Sequence, residues 1–145
     1  MRRRVNDPFH LERFTRAQAP VYVTALGEVR AGRKRTHWMW FIFPQVAGLG
    51  HSDMSRHYAI GSLTEARAYL EHPVLGARLR ECTEAVLAIA DRTAAEVFGF
   101  PDDLKLASCM TLFAEAAGPD SLFEKVLVKW FDGRRDVPTL QLLEP

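Results

Sequence analysis

The chain has 145 residues, of which 48% are hydrophobic and 26% charged, and its net charge is +1. That is the usual size of one domain, and the apolar share is too high for a disordered chain. Near-neutrality gives no general drive toward polyanions, and no apolar run approaches the roughly 20 residues of a membrane span. Arg30, Arg33, Lys34 and Arg35 form one basic cluster, and Arg2, Arg3 and Arg4 another at a terminus expected to fray. Cys82 and Cys109 fall inside apolar patterns, without a C-x-x-C pair or zinc-type histidine spacing. Reduced thiols, and a basic N-terminus interrupted at once by Asp7 and Pro8, predict a soluble cytoplasmic protein. One domain is expected over residues 1–145, with 1–6 as a tail.

In chain order, Asp7-Pro8 reads as a helix start, an N-cap acid followed by proline at the first helical position. Phe9, Phe14, Tyr22, Leu26 and Val29 supply a stripe at near-helical spacing, and Pro20 must split it near Gln18–Ala19. Gly32 ends it. The run His37–Gln45 (HWMWFIFPQ) has neither helical nor alternating order, and reads as a buried strand or an irregular buried segment. Gly48-Leu49-Gly50 then lets backbone approach another element closely.

Helical order returns from Met54. Ser62 or Thr64 caps a helix through Leu70, with Ser62-x-x-Glu65 as a capping box, and His72-Pro73 breaks it. Val74–Asp91 is amphipathic, Thr93 caps a short helix ending at Gly99, and Pro101 with Asp102 and Asp103 opens the next. There Leu106, Cys109, Met110 and Phe113 are spaced as a core stripe. Gly118-Pro119 breaks that helix, and Asp120 or Ser121 starts a last long one through Trp130 to Gly133. Leu140, Leu142 and Leu143 of the tail dock back onto the body. The fold class is all-α, a bundle of six or seven helices with an irregular buried aromatic segment.

The segments Gly32–Ser52, Ser62–Leu79 and Phe100–Phe113 resemble the domain of unknown function 1810 family, some of whose members carry a calpastatin-like label. Leu11–Gln18 and Phe131–Leu143 match its ends. The resemblance implies a compact helical fold, with no activity attached. Calpastatin-type inhibitors are disordered, and this composition belongs to a folded chain. A fainter likeness, an aromatic segment followed by a lysine-bearing helix with M-x-L-F, is to the NADAR group. That group acts on ADP-ribose-type or related N-glycosidic compounds.

Each candidate residue has a functional and a bland reading. His37, beside two tryptophans, is a general acid or base, or a structural histidine bonded to backbone. Trp38 and Trp40 stack on a ligand ring or fill the core. Gln45 reads a base edge or ribose hydroxyl, or fastens its loop. Lys105 anchors a phosphate with Ser108 beside it, or snorkels to water. Asp102 and Asp103 are dipole-matching caps, Asp103 doubling as a base where the aromatic segment crosses this helix end. Tyr58 joins the substrate-binding set.

The leading expectation is a pocket that binds, and can hydrolyse, a nucleotide-derived or ADP-ribose-like N-glycoside. His37 and Asp103 take the catalytic places; Trp38, Trp40, Gln45, Tyr58, Lys105 and Ser108 hold substrate. No metal and no cofactor is signalled. The alternative is a non-catalytic module that holds a protein or nucleic acid on exposed aromatic surface or the Arg33–Arg35 cluster.

Overall fold

Proline, glycine and capping residues cut the chain into short helices that wrap one central helix. The computed structural model describes residues 6–144. In chain order the helices are α1 (Glu12–Gln18), α2 (Tyr22–Arg30), α3 (Met39–Ile42), α4 (Asp53–His57), α5 (Leu63–Glu71), α6 (Leu75–Ala88), α7 (Ala94–Phe98), α8 (Asp102–Ala117), α9 (Leu122–Phe131) and α10 (Val137–Leu143). The described residues contain no strand, only an isolated parallel bridge between Val46 and Ile60, so the class is all-α. The arginine tail, Arg2 to Arg4, lies outside the described residues.

Among the described residues ten helices replace the six or seven expected. The difference is α3, α4 and α10, pieces of four to seven residues too short to show a period. The aromatic segment is thus neither strand nor wholly irregular, since α3 occupies its middle. Its place is set by Gln18, buried at the end of α1. The Gln18 amide donates to the Phe41 carbonyl (2.7 Å) and the Tyr69 hydroxyl (3.0 Å).

The start signal at Asp7-Pro8 acts at a distance. A turn follows the proline, and the Asp7 carboxylate accepts the N–H groups of Leu11 and Glu12, so α1 begins at Glu12. Pro20 separates α1 from α2 where the sequence places the break. Ser62 caps α5, but Glu65 does not close the expected box onto the Ser62 N–H. Its carboxylate accepts Gly61 N–H at 3.0 Å and pairs with Arg13 at 2.7 Å. Arg13 also donates to the carbonyls of Phe9, His10, His57 and Ala59, which ties α1 to α4 and α5. The reciprocal box exists at Thr93 and Glu96.

Helix α8 is the axis of the molecule and packs against α5, α7, α9 and α10. Leu106, Cys109, Met110 and Phe113 on it have no exposed surface. They join one apolar core running from Leu11 to Leu127. Both thiols are free and buried there, and burial pushes Cys82 up to about 12 and Cys109 well above its ordinary value. Neither is a reactive thiolate at neutral pH. No helix among the described residues is long and apolar enough to cross a membrane.

Candidate functional site

A cleft of about 350 Å³ opens between the Gly48–Gly50 loop, α4, the first turns of α8 and the start of α10. Trp40 and Tyr58 supply aromatic surface, and Val46, Leu49, Pro101, Leu104 and Pro138 most of the other apolar lining. Lys105, Arg56, Gln45, Ser108 and Asp136 are its main polar side chains. The backbone around it is held firmly. Ile60 N–H donates to the Gln45 carbonyl and Ala47 N–H to the Ile60 carbonyl, both at 2.8 Å. Gly48 has φ +104°, and a Cβ there would meet Leu142 of α10 at 3.0 Å. Glycine therefore permits both the turn and the close approach of the last helix.

Two lysines share one carboxylate beside this cleft. Asp102 lies 2.9 Å from Lys34 Nζ and 3.1 Å from Lys105 Nζ. Burial alone would raise the Asp102 pKa, but the two ammonium groups outweigh it and hold the carboxyl below its ordinary value. Three charges of this kind sum to one excess positive charge. Lys105 also stands 4.6 Å over the Trp40 ring, and Lys34 5.1 Å over Trp38, both cation–π contacts. The cleft end of α8 thus presents a fixed, not a freely mobile, ammonium group.

Asp136, also in the lining, caps α10. Its Oδ2 accepts the Thr139 N–H (3.2 Å) and hydroxyl (2.6 Å), and lies 3.0 Å from Ser108 Oγ. Its own N–H donates to Thr111 on α8 at 2.8 Å. Among the described residues Oδ1 has no such partner. The same holds for the Gln45 amide, the Tyr58 hydroxyl and the Arg56 guanidinium. Elsewhere the deeply buried polar side chains Gln18, Glu65, Thr83, Thr111 and Thr139 are all hydrogen-bonded within the protein.

Five residues singled out from the sequence therefore meet here: Trp40, Gln45, Tyr58, Lys105 and Ser108. Three others do not. Trp38 is sealed in the core at 1% exposure, its indole N–H donating to Glu28 (3.0 Å) and its ring set among Phe43 and Phe98. Two residues along from Trp40, it enters α3 facing the other way. His37, just before it, is exposed and lines no part of the cleft. Asp103 is outside as well, its carboxylate turned onto the Leu104 N–H (2.9 Å), while Asp102 takes the lysines. His37 thus does not line the cleft that holds Lys105, which corrects the expected pairing of imidazole and ammonium there.

Sequence reasoning passed over Arg56 and Asp136. Arg56 sits on a five-residue helix with no apolar period to place it. Asp136 did leave a signal, since Asp-Val-Pro-Thr is an N-cap acid with proline inside the first turn.

The family model described as "Protein of unknown function (DUF1810)" matches residues 8–143. The chain belongs to the DUF1810 family. A crystal structure of the conserved hypothetical protein Rv1873 from Mycobacterium tuberculosis is similar at 54% identity and TM-score 0.93, covering 94% of this chain and 98% of that one. No curated protein matches. These matches give the NADAR likeness no support. The segments that carry the DUF1810 resemblance supply the cleft unequally. Gly32–Ser52 contributes Trp40 and Gln45–Gly50, Phe100–Phe113 contributes Lys105 and Ser108, and the closing segment contributes Asp136 and Pro138. Ser62–Leu79 contributes core instead, through Tyr69, Leu70, Leu75 and Leu79.

Proposed function

We propose that this DUF1810 domain binds a phosphorylated, mononucleotide-sized molecule in the cleft between α4, α8 and α10. The observation that carries the reading is the placement of a fixed Lys105, beside Trp40, in a pocket where the Gln45 amide, the Tyr58 hydroxyl and the Arg56 guanidinium have no partners among the described residues. A phosphate is matched by Lys105 and Arg56, the two cationic side chains of the lining, because anions are drawn to positive charge. A flat heterocycle fits against Trp40 or Tyr58, where stacking is worth about 1–3 kcal/mol per ring. Gln45 offers an amide that can donate and accept at a ring edge. A volume of 350 Å³ falls at the small end of the roughly 300–1,000 Å³ range of ligand pockets, which favours one nucleotide over two.

Hydrolysis of an N-glycoside would require a carboxylate beside the sugar, and Asp136, not Asp103, is the one on the cleft wall. In that reaction water oxygen bonds to the anomeric carbon, the C–N bond breaks, and the base leaves with a proton. Binding is the first claim to test. Calorimetric titration and thermal shift with adenosine monophosphate, ADP-ribose and NAD should show binding, strongest for the mononucleotide. Lys105→Ala and Trp40→Ala should each weaken it about tenfold or more, as expected for loss of a charged contact or a stacked ring. Arg33→Ala should leave it unchanged. No binding across the panel, or binding indifferent to Lys105 and Trp40, contradicts the reading. Release of free base by chromatography tests hydrolysis separately.

An interaction module is the second reading, favoured by Phe100 and Leu104, 80% and 53% exposed near the cleft mouth. The basic cluster supports it less. Lys34 is drawn onto Asp102 and the Thr36 carbonyl, and Arg30 pairs with Glu81. A salt-sensitive gel shift abolished by neutralising Arg33, Lys34 and Arg35 together would establish it in place of the first.

A further inference from the structure

We propose that Asp136 selects for a ribose hydroxyl, so that the ligand class is ribonucleotide and not deoxyribonucleotide. This rests on the cleft binding a phosphorylated nucleoside and adds which sugar it accepts.

The two oxygens of this carboxylate are used unequally. Oδ2 is occupied by Thr139 N–H, Thr139 Oγ1 and Ser108 Oγ, and the Asp136 N–H is tied to Thr111. The side chain therefore cannot swing away, and its remaining acceptor, Oδ1, belongs to a residue of the cleft wall. A helix cap needs one oxygen, and serine, threonine or asparagine supplies it equally well. The second oxygen serves neither the cap nor any other group among the described residues. Leu104, Pro101 and Pro138 add apolar surface to the same lining, which limits how well water replaces a hydrogen bond made there.

The chemistry narrows what that oxygen accepts. A bound metal is not indicated, since no group of three His, Cys, Asp or Glu side chains among the described residues is arranged to hold one. An ammonium group is disfavoured by Lys105 and Arg56 in the same small cleft. A neutral O–H donor suits both constraints. In a molecule whose phosphate lies toward Lys105 and whose base lies on aromatic surface, the hydroxyl donors between the two are those of the sugar. Gln45 can accept from the neighbouring hydroxyl through its amide oxygen.

Asp136→Asn is the informative variant. Its amide oxygen keeps the cap on Thr139, and its NH₂ puts a donor where Oδ1 was an acceptor. Adenosine monophosphate, its 2′-deoxy and 3′-deoxy forms, and pyrophosphate should be titrated calorimetrically into wild type and Asp136→Asn. Wild type should bind at least one deoxy form roughly tenfold more weakly than the ribonucleotide, the loss expected for one bond to a charged acceptor. In Asp136→Asn that difference should shrink to within about twofold, with cooperative unfolding retained well above the titration temperature and pyrophosphate bound no more weakly than by wild type. Both deoxy forms binding wild type as well as the ribonucleotide overturns the inference, as does a preference that survives in Asp136→Asn. If wild type binds the nucleotides and pyrophosphate alike not at all, the parent reading of the cleft fails and this one falls with it.

Discussion

Glu28 makes four hydrogen bonds with one carboxylate, and they decide which tryptophan faces the cleft. It accepts the N–H groups of Arg35 and Thr36, the Thr36 hydroxyl and the Trp38 indole N–H. Burial would raise its pKa, but these donors prevail and bring it down to about 2. The folded pKa is depressed, so the stabilisation is complete above the ordinary value near 4.5 and is lost as pH falls toward 2. Glu28→Gln should therefore destabilise the protein at pH 7 by about 1–3 kcal/mol, the usual scale for hydrogen bonds to a charged group. In urea unfolding, the gap between variant and wild type should close as the pH approaches 2. A gap of equal size at both pH values would show that charge is not what matters. The sequence could not separate Trp38 from Trp40 because Glu28 lies ten residues back, on another helix. Composition marked both indoles, and space alone assigns them. His37 misled for the same reason, since sharing a greasy segment does not bury a side chain that points away from it.

Two glycines inside helices carry opposite predictions. Gly27 is in the middle of α2, with nothing within 4 Å of a built Cβ, so Gly27→Ala should stabilise by about 0.5–1 kcal/mol through helix propensity. Gly76 opens α6 against the end of α5, and a Cβ there would stand 2.1 Å from the Leu70 carbonyl oxygen. Gly76→Ala should destabilise by about 1–3 kcal/mol, because backbone and not a flexible side chain must move. Thermal unfolding of the two variants, with shifts of the same sign, would contradict this packing of α5 on α6. Arg13 makes a sharper case. It joins α1 to His57 of α4, to Ala59 after it and to Glu65 of α5, and Arg13→Ala would leave the Glu65 carboxylate without its counter-charge, at a cost of about 3–5 kcal/mol. A loss below 1 kcal/mol by urea unfolding would remove it from the account. Helix ends were the legible part at this level. Pro20, Ser62, His72-Pro73, Thr93 and Gly118 act through local backbone chemistry, which needs no tertiary context. Helix α3 was not legible, α4 showed only as helical order returning at Met54 and α10 only in its cap, since pieces of four to seven residues complete at most two turns and display no face.

The cleft is a property of the assembled chain. Its walls come from the aromatic segment and the loop after it, from α4, from the first turns of α8 and from the start of α10. Trp40, Gln45, Lys105 and Ser108 were recognisable beforehand because each is a polar or amphipathic group at the border of an apolar pattern. Arg56 and Asp136 were not, because their relevance depends on α4 and α10 folding back over α8. The Gly48 to Leu142 approach that brings α10 into place is likewise invisible until both are positioned. Amide and indole proton–nitrogen correlation spectra, recorded as adenosine monophosphate is added, show whether the cleft is the nucleotide site. That site predicts shifts at the Trp40 indole, the Gln45 side-chain amide and the Gly48–Gly50 backbone, with the Trp38 indole and the Arg33–Arg35 amides unmoved. Shifts confined to the Arg33–Arg35 segment, or none at saturating nucleotide, would contradict it.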